Sequence, residues 1–182
     1  MESLAGMLLV APPQLEDPNF TETVVVVLLH NETGSFGLVL NRPTTVTVDD
    51  AVPAWGALAV GPVRSGGPVE SDALIGIARA VGGATVNGYR EIETTTLGPI
   101  GLIDLHSDAN VEFRDVRLFT GYTGWGPGQL EGEILMGGWV VVPGLPSDPF
   151  DLRTDELWGT VLRRADPSDA RLKLLPDDIS LN

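Results

Sequence analysis

His30 and His106 are the two imidazole bases of this 182-residue chain, which contains no cysteine. Acyl transfer through an activated nucleophile needs a base and a group that orients it. No Gly-x-Ser-x-Gly elbow occurs, so a Ser–His pair would have to assemble through space around His30 or His106. Without cysteine there is no thiolate nucleophile, no Cys-ligated zinc or iron–sulfur site and no disulfide framework. The His-Glu-x-x-His motif and the acidic calcium-loop pattern are absent as well. His106-Ser107-Asp108 offers two metal ligands, but its Ser-Asp-Ala-Asn stretch is also good turn chemistry. The sequence nominates no catalytic residue, no metal site and no cofactor.

Two polar segments beside glycines can do binding chemistry. Gly121-Tyr122-Thr123-Gly124-Trp125-Gly126-Pro127-Gly128-Gln129 follows a predicted strand and opens a predicted helix, where backbone N–H groups can hold an anion. Gln129 stands where the dinucleotide fingerprint wants its last glycine, and no Gly-Lys-Ser/Thr completes a P-loop. Pro127 removes a donor, and Glu131 and Glu133 repel phosphate. The competing reading is a strand-to-helix turn pinned by Trp125. The other segment is Asn41-Arg42-Pro43, where a guanidinium beside an amide can fork onto a carboxylate or another planar acceptor. Its competitor is a surface Arg42 paired with one of the chain's 25 acids.

The elements that must position these residues are short. Glycine (22) and proline (14) are spread throughout, which predicts many brief elements joined by tight turns. Val24 to Leu29 is β-branched and continuously apolar, Asn31-Glu32-Thr33-Gly34 supplies a turn, and Phe36 to Leu40 returns until Pro43. This predicts a central antiparallel hairpin over Thr23 to Asn41, with Val25 and Val27 facing opposite to Val24 and Val26. Val48 to Val52 starts a short helix cut by Pro53, and Arg64 to Val69 reads as a loop. Ala73–Ala78, Ile100–Leu105, Val116–Tyr122 and Trp139–Val142 read as strands, with an Asn-Gly hairpin signal in Thr85 to Arg90. Gly124 to Gly128 reads as a turn before a helix over Gln129 to Met136. A second helix takes Thr154 as N-cap, with an apolar stripe of Leu157, Trp158, Val161, Leu162 and Ala165. Strands outnumber helices without alternating with them, which favours an α+β single domain over residues 1–182.

Composition bounds the partners. A hydrophobic fraction of 43% with 20% charged residues is globular rather than disordered. No apolar run approaches the roughly 20 residues needed to span a bilayer, and the start lacks a basic region before its apolar stretch. The expectation is a cytoplasmic protein without a membrane partner. Net charge is −14, so a phosphate backbone is repelled at long range. Arg163, Arg164, Arg171 and Lys173 form the one basic cluster, read as helix-end cations or as a patch for an acidic partner. Duplex DNA is therefore expected not to bind appreciably at physiological salt. An anisotropy titration giving micromolar, salt-sensitive affinity would overturn this.

Several separated segments together resemble the YqgE/AlgH family. Leu8-Leu9-Val10-Ala11-Pro12 through Leu15-Glu16-Asp17-Pro18-Asn19-Phe20 is similar to its opening. His30-Asn31-Glu32-Thr33-Gly34-Ser35-Phe36-Gly37-Leu38-Val39-Leu40-Asn41-Arg42-Pro43 is similar to its hairpin signature. Gly66-Gly67-Pro68-Val69 and Gly121 through Glu131 follow in the right order, so the likeness spans about residues 4 to 165. The resemblance implies an α+β domain around a bulged, coiled mixed sheet, and a transcriptional-regulator label without a recognised DNA-binding motif. The chain departs where many members carry Ala-Met, having Ser35-Phe36. It also has Ala78 where many carry a His, which weakens any mechanism that needs that His.

The function expected is a non-enzymatic binding or regulatory module acting through small-molecule or protein contacts. The alternatives are an enzyme whose pocket assembles from distant residues, and a DNA-binding regulator, which the charge opposes. The expected ligand-facing residues are His30, Asn41, Arg42, Trp125, Gly126 and Gln129, gathered on one concave surface. The rival reading makes Trp125 a core anchor and the polar groups partners of turn backbone.

Overall fold

A computed structural model describes residues 3–15, 17–81, 88–94, 96–107 and 113–166. Its strands are β1 (Met7–Val10), β2 (Val24–Asn31), β3 (Gly34–Val39), β4 (Arg64–Ser65), β5 (Val69–Ala80), β6 (Tyr89–Glu91), β7 (Gly101–Ile103), β8 (Phe113–Trp125) and β9 (Val140–Pro143). They form one curled sheet in the order β6-β7-β5-β8-β3-β2-β1-β9, antiparallel throughout that path, with β4 alone running parallel to β8. Among the described residues the α-helices are α1 (Val48–Ala51), α2 (Gln129–Leu135) and α3 (Thr154–Leu162). This is a single α+β domain, and among its described residues no helix is long and apolar enough to cross a membrane.

The hairpin of β2 and β3 sits inside the strand order, as its apolar run predicts. Alternation sends Val24 and Val26 to one face, where they join Leu8, Leu38 and Leu40 under Leu157 and Val161 of α3. Val25 and Val27 go to the other face, with Leu9, Val39 and Leu130, beneath Trp125 and Trp139. A register shift between Val27 and Leu29 then bulges β2 toward its turn. A third apolar cluster, built on Trp55, Phe113 and Val116, fills the far half of the sheet.

Several boundaries differ from the sequence reading. The Arg64–Val69 loop contains a strand: Arg64 and Ser65 pair with Phe119 and Thr120 of β8, a long-range partnership with no local signal. β5 starts at Val69 rather than Ala73, because its first residues Glu70, Ser71 and Asp72 are exposed and need no apolar side chain. β8 runs past Tyr122 through Gly124 and ends at Trp125, so the turn before α2 is confined to Gly126–Gly128. Thr154 lies inside the first turn of α3, whose N-cap position is Arg153 with no side-chain cap. Thr85, Val86 and Asn87 of the Asn-Gly signal lie outside the described residues, as do Arg171 and Lys173. Arg164 is held by Asp148 through two contacts of 3.2 and 2.8 Å.

Strand β8 belongs to both halves of the sheet. Its first part pairs with β5 and its last three residues pair with β3. Gly121 lies at the irregularity in the β5 pairing, just before the change of partner between Tyr122 and Thr123; its φ is +66°, and a Cβ there would stand 2.4 Å from the carbonyl oxygen of Gly67. Both the backbone conformation and the space exclude a side chain. Gly121→Ala is expected to destabilise the fold by about 2–4 kcal/mol, read from urea midpoints. A loss under about 0.5 kcal/mol would mean the crossing relaxes freely.

Candidate functional site

His30 lies near the closed end of the hairpin, and Asn41 and Arg42 lie past its open end. The backbone N–H of Leu4 donates to His30 Nδ1 at 2.8 Å. That leaves Nδ1 as the acceptor, so the hydrogen-bond pattern assigns the proton to Nε2, which donates to Glu131 Oε1 at 3.2 Å. Both ring nitrogens are therefore engaged, and His30 braces the N-terminal segment, β2 and α2 together. Glu131's own backbone N–H, followed by His30, holds its carboxyl below the ordinary range. A carboxyl depressed on folding stabilises above its unfolded pKa and loses that contribution as pH falls through the folded value. Stability is thus expected to decline below about pH 4, and Glu131→Gln should flatten that decline in a denaturation series. An unchanged slope would refute the assignment.

Asn41 completes backbone pairing at the open end. Its Oδ1 accepts from Val24 N at 2.9 Å and its Nδ2 donates to Glu22 O at 2.8 Å. Arg42 Nη2 donates to Thr21 O at 3.0 Å, which fastens the same loop. Beyond this bond Arg42 lines a cavity of about 240 Å³ with Ser65, Pro68 and Ser71. The length of β2 separates its end of the hairpin from His30, roughly 20 Å at the rise of an extended strand.

The segment after β8 builds a different site. Trp125 is 7% exposed, and its indole Nε1 donates to Glu133 Oε2 at 2.9 Å. Trp139 Nε1 donates to the same oxygen at 2.8 Å, and Gln129 Nε2 donates to Oε1 at 3.0 Å. Gln129 Oε1 in turn accepts from Gly126 N at 3.0 Å, closing the turn that starts α2. One carboxylate thus locks two indoles and an amide. The rings meet edge to face: Trp125 and Trp139 have centroids 6.3 Å apart at 81°, and Phe20 and Trp139 5.4 Å apart at 79°.

These rings wall a cavity of about 320 Å³. Thr123 and Pro68 also line it, with Asp17, Gln129 and Glu133 as its charged and amide groups. Thr123 is 1% exposed, and its Oγ1 has no hydrogen-bond partner among the described residues. Space beside it is kept by Gly37, where a Cβ would stand 3.1 Å from that oxygen and 2.7 Å from Val26 O. A third and larger cavity, about 780 Å³, opens elsewhere beside His30, Leu29, Phe36, Arg90 and Tyr122.

The single concave surface expected from the sequence is therefore not what the structure shows. Trp125 and Gln129 share one cavity, Arg42 lines a second and His30 a third, with Pro68 common to the first two. Asn41 lines none of the three, and the Gly126 N–H is engaged by Gln129. Phe20, Thr123, Glu133 and Trp139 join the site without having been expected there. One signal was available for Glu133: Trp125, Gln129 and Glu133 recur every four residues, and two of them share a helix face. His106 pairs with Asp104 in an exposed turn at 3.2 Å, and Asp108 lies outside the described residues.

Comparison with known proteins agrees with this fold. The family model described as AlgH-like matches residues 8–169, and the chain belongs to that family. A UPF0301 protein of Streptomyces avermitilis is 46% identical over 187 residues, covering 100% of this chain and 97% of that one. A UPF0301 protein of Streptomyces coelicolor is 45% identical, again covering 100% and 97%. The crystal structure of a Corynebacterium diphtheriae protein superposes with a TM-score of 0.82 at 29% identity, covering 97% of this chain and 94% of that one. The solution structure of AlgH from Pseudomonas aeruginosa gives 0.67 at 26% identity, covering 96% and 95%.

Proposed function

We propose that this chain is a non-enzymatic binding module of the cytoplasm whose ligand is a small molecule seated in the Trp125–Trp139 cavity. The observation that carries the reading is the lock on Glu133, which fixes both indoles before any ligand arrives. A preformed cavity with apolar walls and a few fixed polar groups is the usual make-up of a small-molecule site. Preorganisation also spares a ligand the entropy of ordering its walls. Trp125 supplies a wall and Gln129 an amide, the two sequence-nominated residues that meet there. The disulfide-free composition suits a reducing compartment.

The test is an unbiased metabolite panel read by thermal stabilisation of the full chain, since a ligand preferring the native state raises its apparent stability. Compounds that stabilise the wild type should stabilise Val69→Phe and Gln129→Ala less, because both positions line the cavity. Equal stabilisation of all three proteins, or no stabilising compound at all, overturns the reading.

A further inference from the structure

The cavity lining has a chemical bias beyond its shape. Three aromatic rings wall it, from Phe20, Trp125 and Trp139. Its ionisable groups are Asp17 and Glu133; among the described residues no Lys, Arg or His lines it. Aromatic faces carry negative charge density, so they attract a cation without requiring it to form a salt bridge. A carboxylic ligand would meet two carboxylates and no cation there, and a phosphate would fare worse. The chain's charge of −14 acts in the same direction at long range, concentrating cations near the surface. Among the cavity's polar groups, the buried Thr123 hydroxyl is without a partner among the described residues, while the Gln129 amide is already engaged.

The composition of this lining excludes a bare metal ion as its natural occupant. Metal ions need several converging oxygen or nitrogen ligands, whereas here the Glu133 oxygens already accept three N–H groups. An alkylated ammonium has the opposite needs. It is weakly hydrated, bulky and satisfied by ring faces and diffuse negative charge.

We propose that the Trp125–Trp139 cavity selects small organic cations of the alkylammonium class. Phe20, Trp125 and Trp139 hold the cationic head, while Asp17 and Glu133 supply the field. This rests on the small-molecule reading above, and the experiment separates the two.

Choline and its neutral isostere 3,3-dimethylbutan-1-ol are titrated into the full-length protein, with indole N–H resonances and tryptophan emission as readouts. Choline should saturate and shift the Trp125 and Trp139 signals, and the uncharged isostere should bind at least tenfold more weakly. Asp17→Asn should weaken choline severalfold and leave the isostere unchanged. That variant keeps an oxygen for the 2.8 Å bond from Asn19 N, so its fold is retained. Equal affinity for choline and the isostere overturns cation selection and leaves the small-molecule site standing. Acidic or neutral compounds that bind from the metabolite panel while choline does not would overturn cation selection in the same way. Binding of choline that leaves both indole signals unmoved overturns the location. Silence from choline, the isostere and the whole panel ends both readings.

Discussion

Arg64→Ala is expected to destabilise the protein by about 3–5 kcal/mol, which for a domain of this size lowers Tm by roughly 10 °C or more. Arg64 is 2% exposed, and among the described residues no carboxylate touches its guanidinium. It donates instead to the carbonyls of Leu40 at 2.9 Å, of Pro149 at 3.4 Å and of Asp151. Burial, and then the neighbouring Arg117, push its pKa down to about 10 against the pull of Asp151. It stays charged at neutral pH, so its truncation leaves carbonyls unsatisfied as well as a cavity. Arg117 donates to Phe150 O, and Arg79 stacks 4.7 Å over the Phe150 ring, so the cations clamp the turn before α3 from below. Arg64→Lys should recover only part of the loss, because one ammonium cannot span three separated carbonyls. Thermal and urea unfolding decide the matter, and a loss under about 1 kcal/mol would show that the carbonyls find water.

Glu133→Ala should cost about 2–4 kcal/mol and also abolish any ligand response of Trp125 and Trp139. The substitution removes one carboxylate from Trp125 Nε1, Trp139 Nε1 and Gln129 Nε2 together. Glu133→Gln keeps a single acceptor oxygen and should fall between the two. The measurements are urea midpoints and near-ultraviolet circular dichroism, which reports the packing of the indoles. A variant with wild-type stability and an unchanged aromatic spectrum would show that packing alone holds the rings.

How far these features can be read from sequence depends on how local their causes are. The β2–β3 hairpin is legible because Val24–Leu29 and the Asn31–Gly34 turn carry their own instructions; Asn31 Oδ1 even accepts from Thr33 N at 2.8 Å within the turn. Trp125 and Gln129 are legible as neighbours through the four-residue spacing that leads into α2. Arg64 is not, since its burial comes from carbonyls far along the chain, and a lone Arg before Ser-Gly-Gly-Pro reads as loop. Glu133 reads as an exposed helix acid until Trp139 folds back onto it. The gathering of six residues on one surface fails for a simple reason: a hairpin has two ends. Asn41 and His30 stand in one continuous stretch of sequence, but Asn41 pairs with the opposite end of β2.

The order of strands in the sheet also sets the order in which the chain can be completed on the ribosome. β2 and β3 are made early, yet the outer neighbour of β3 is β8, and the outer neighbour of β1 is β9. Leu8 waits for Val142, and Phe36 for Gly124. During that interval the nascent β1-β2-β3 unit, rich in valine, presents the open edges of β1 and β3 and two apolar faces with nothing to cover them. Non-local pairing of this kind is slow, and uncovered edges invite association between chains. Synthesis of this protein therefore places a valine-rich segment with open edges early and the strands that cover it late.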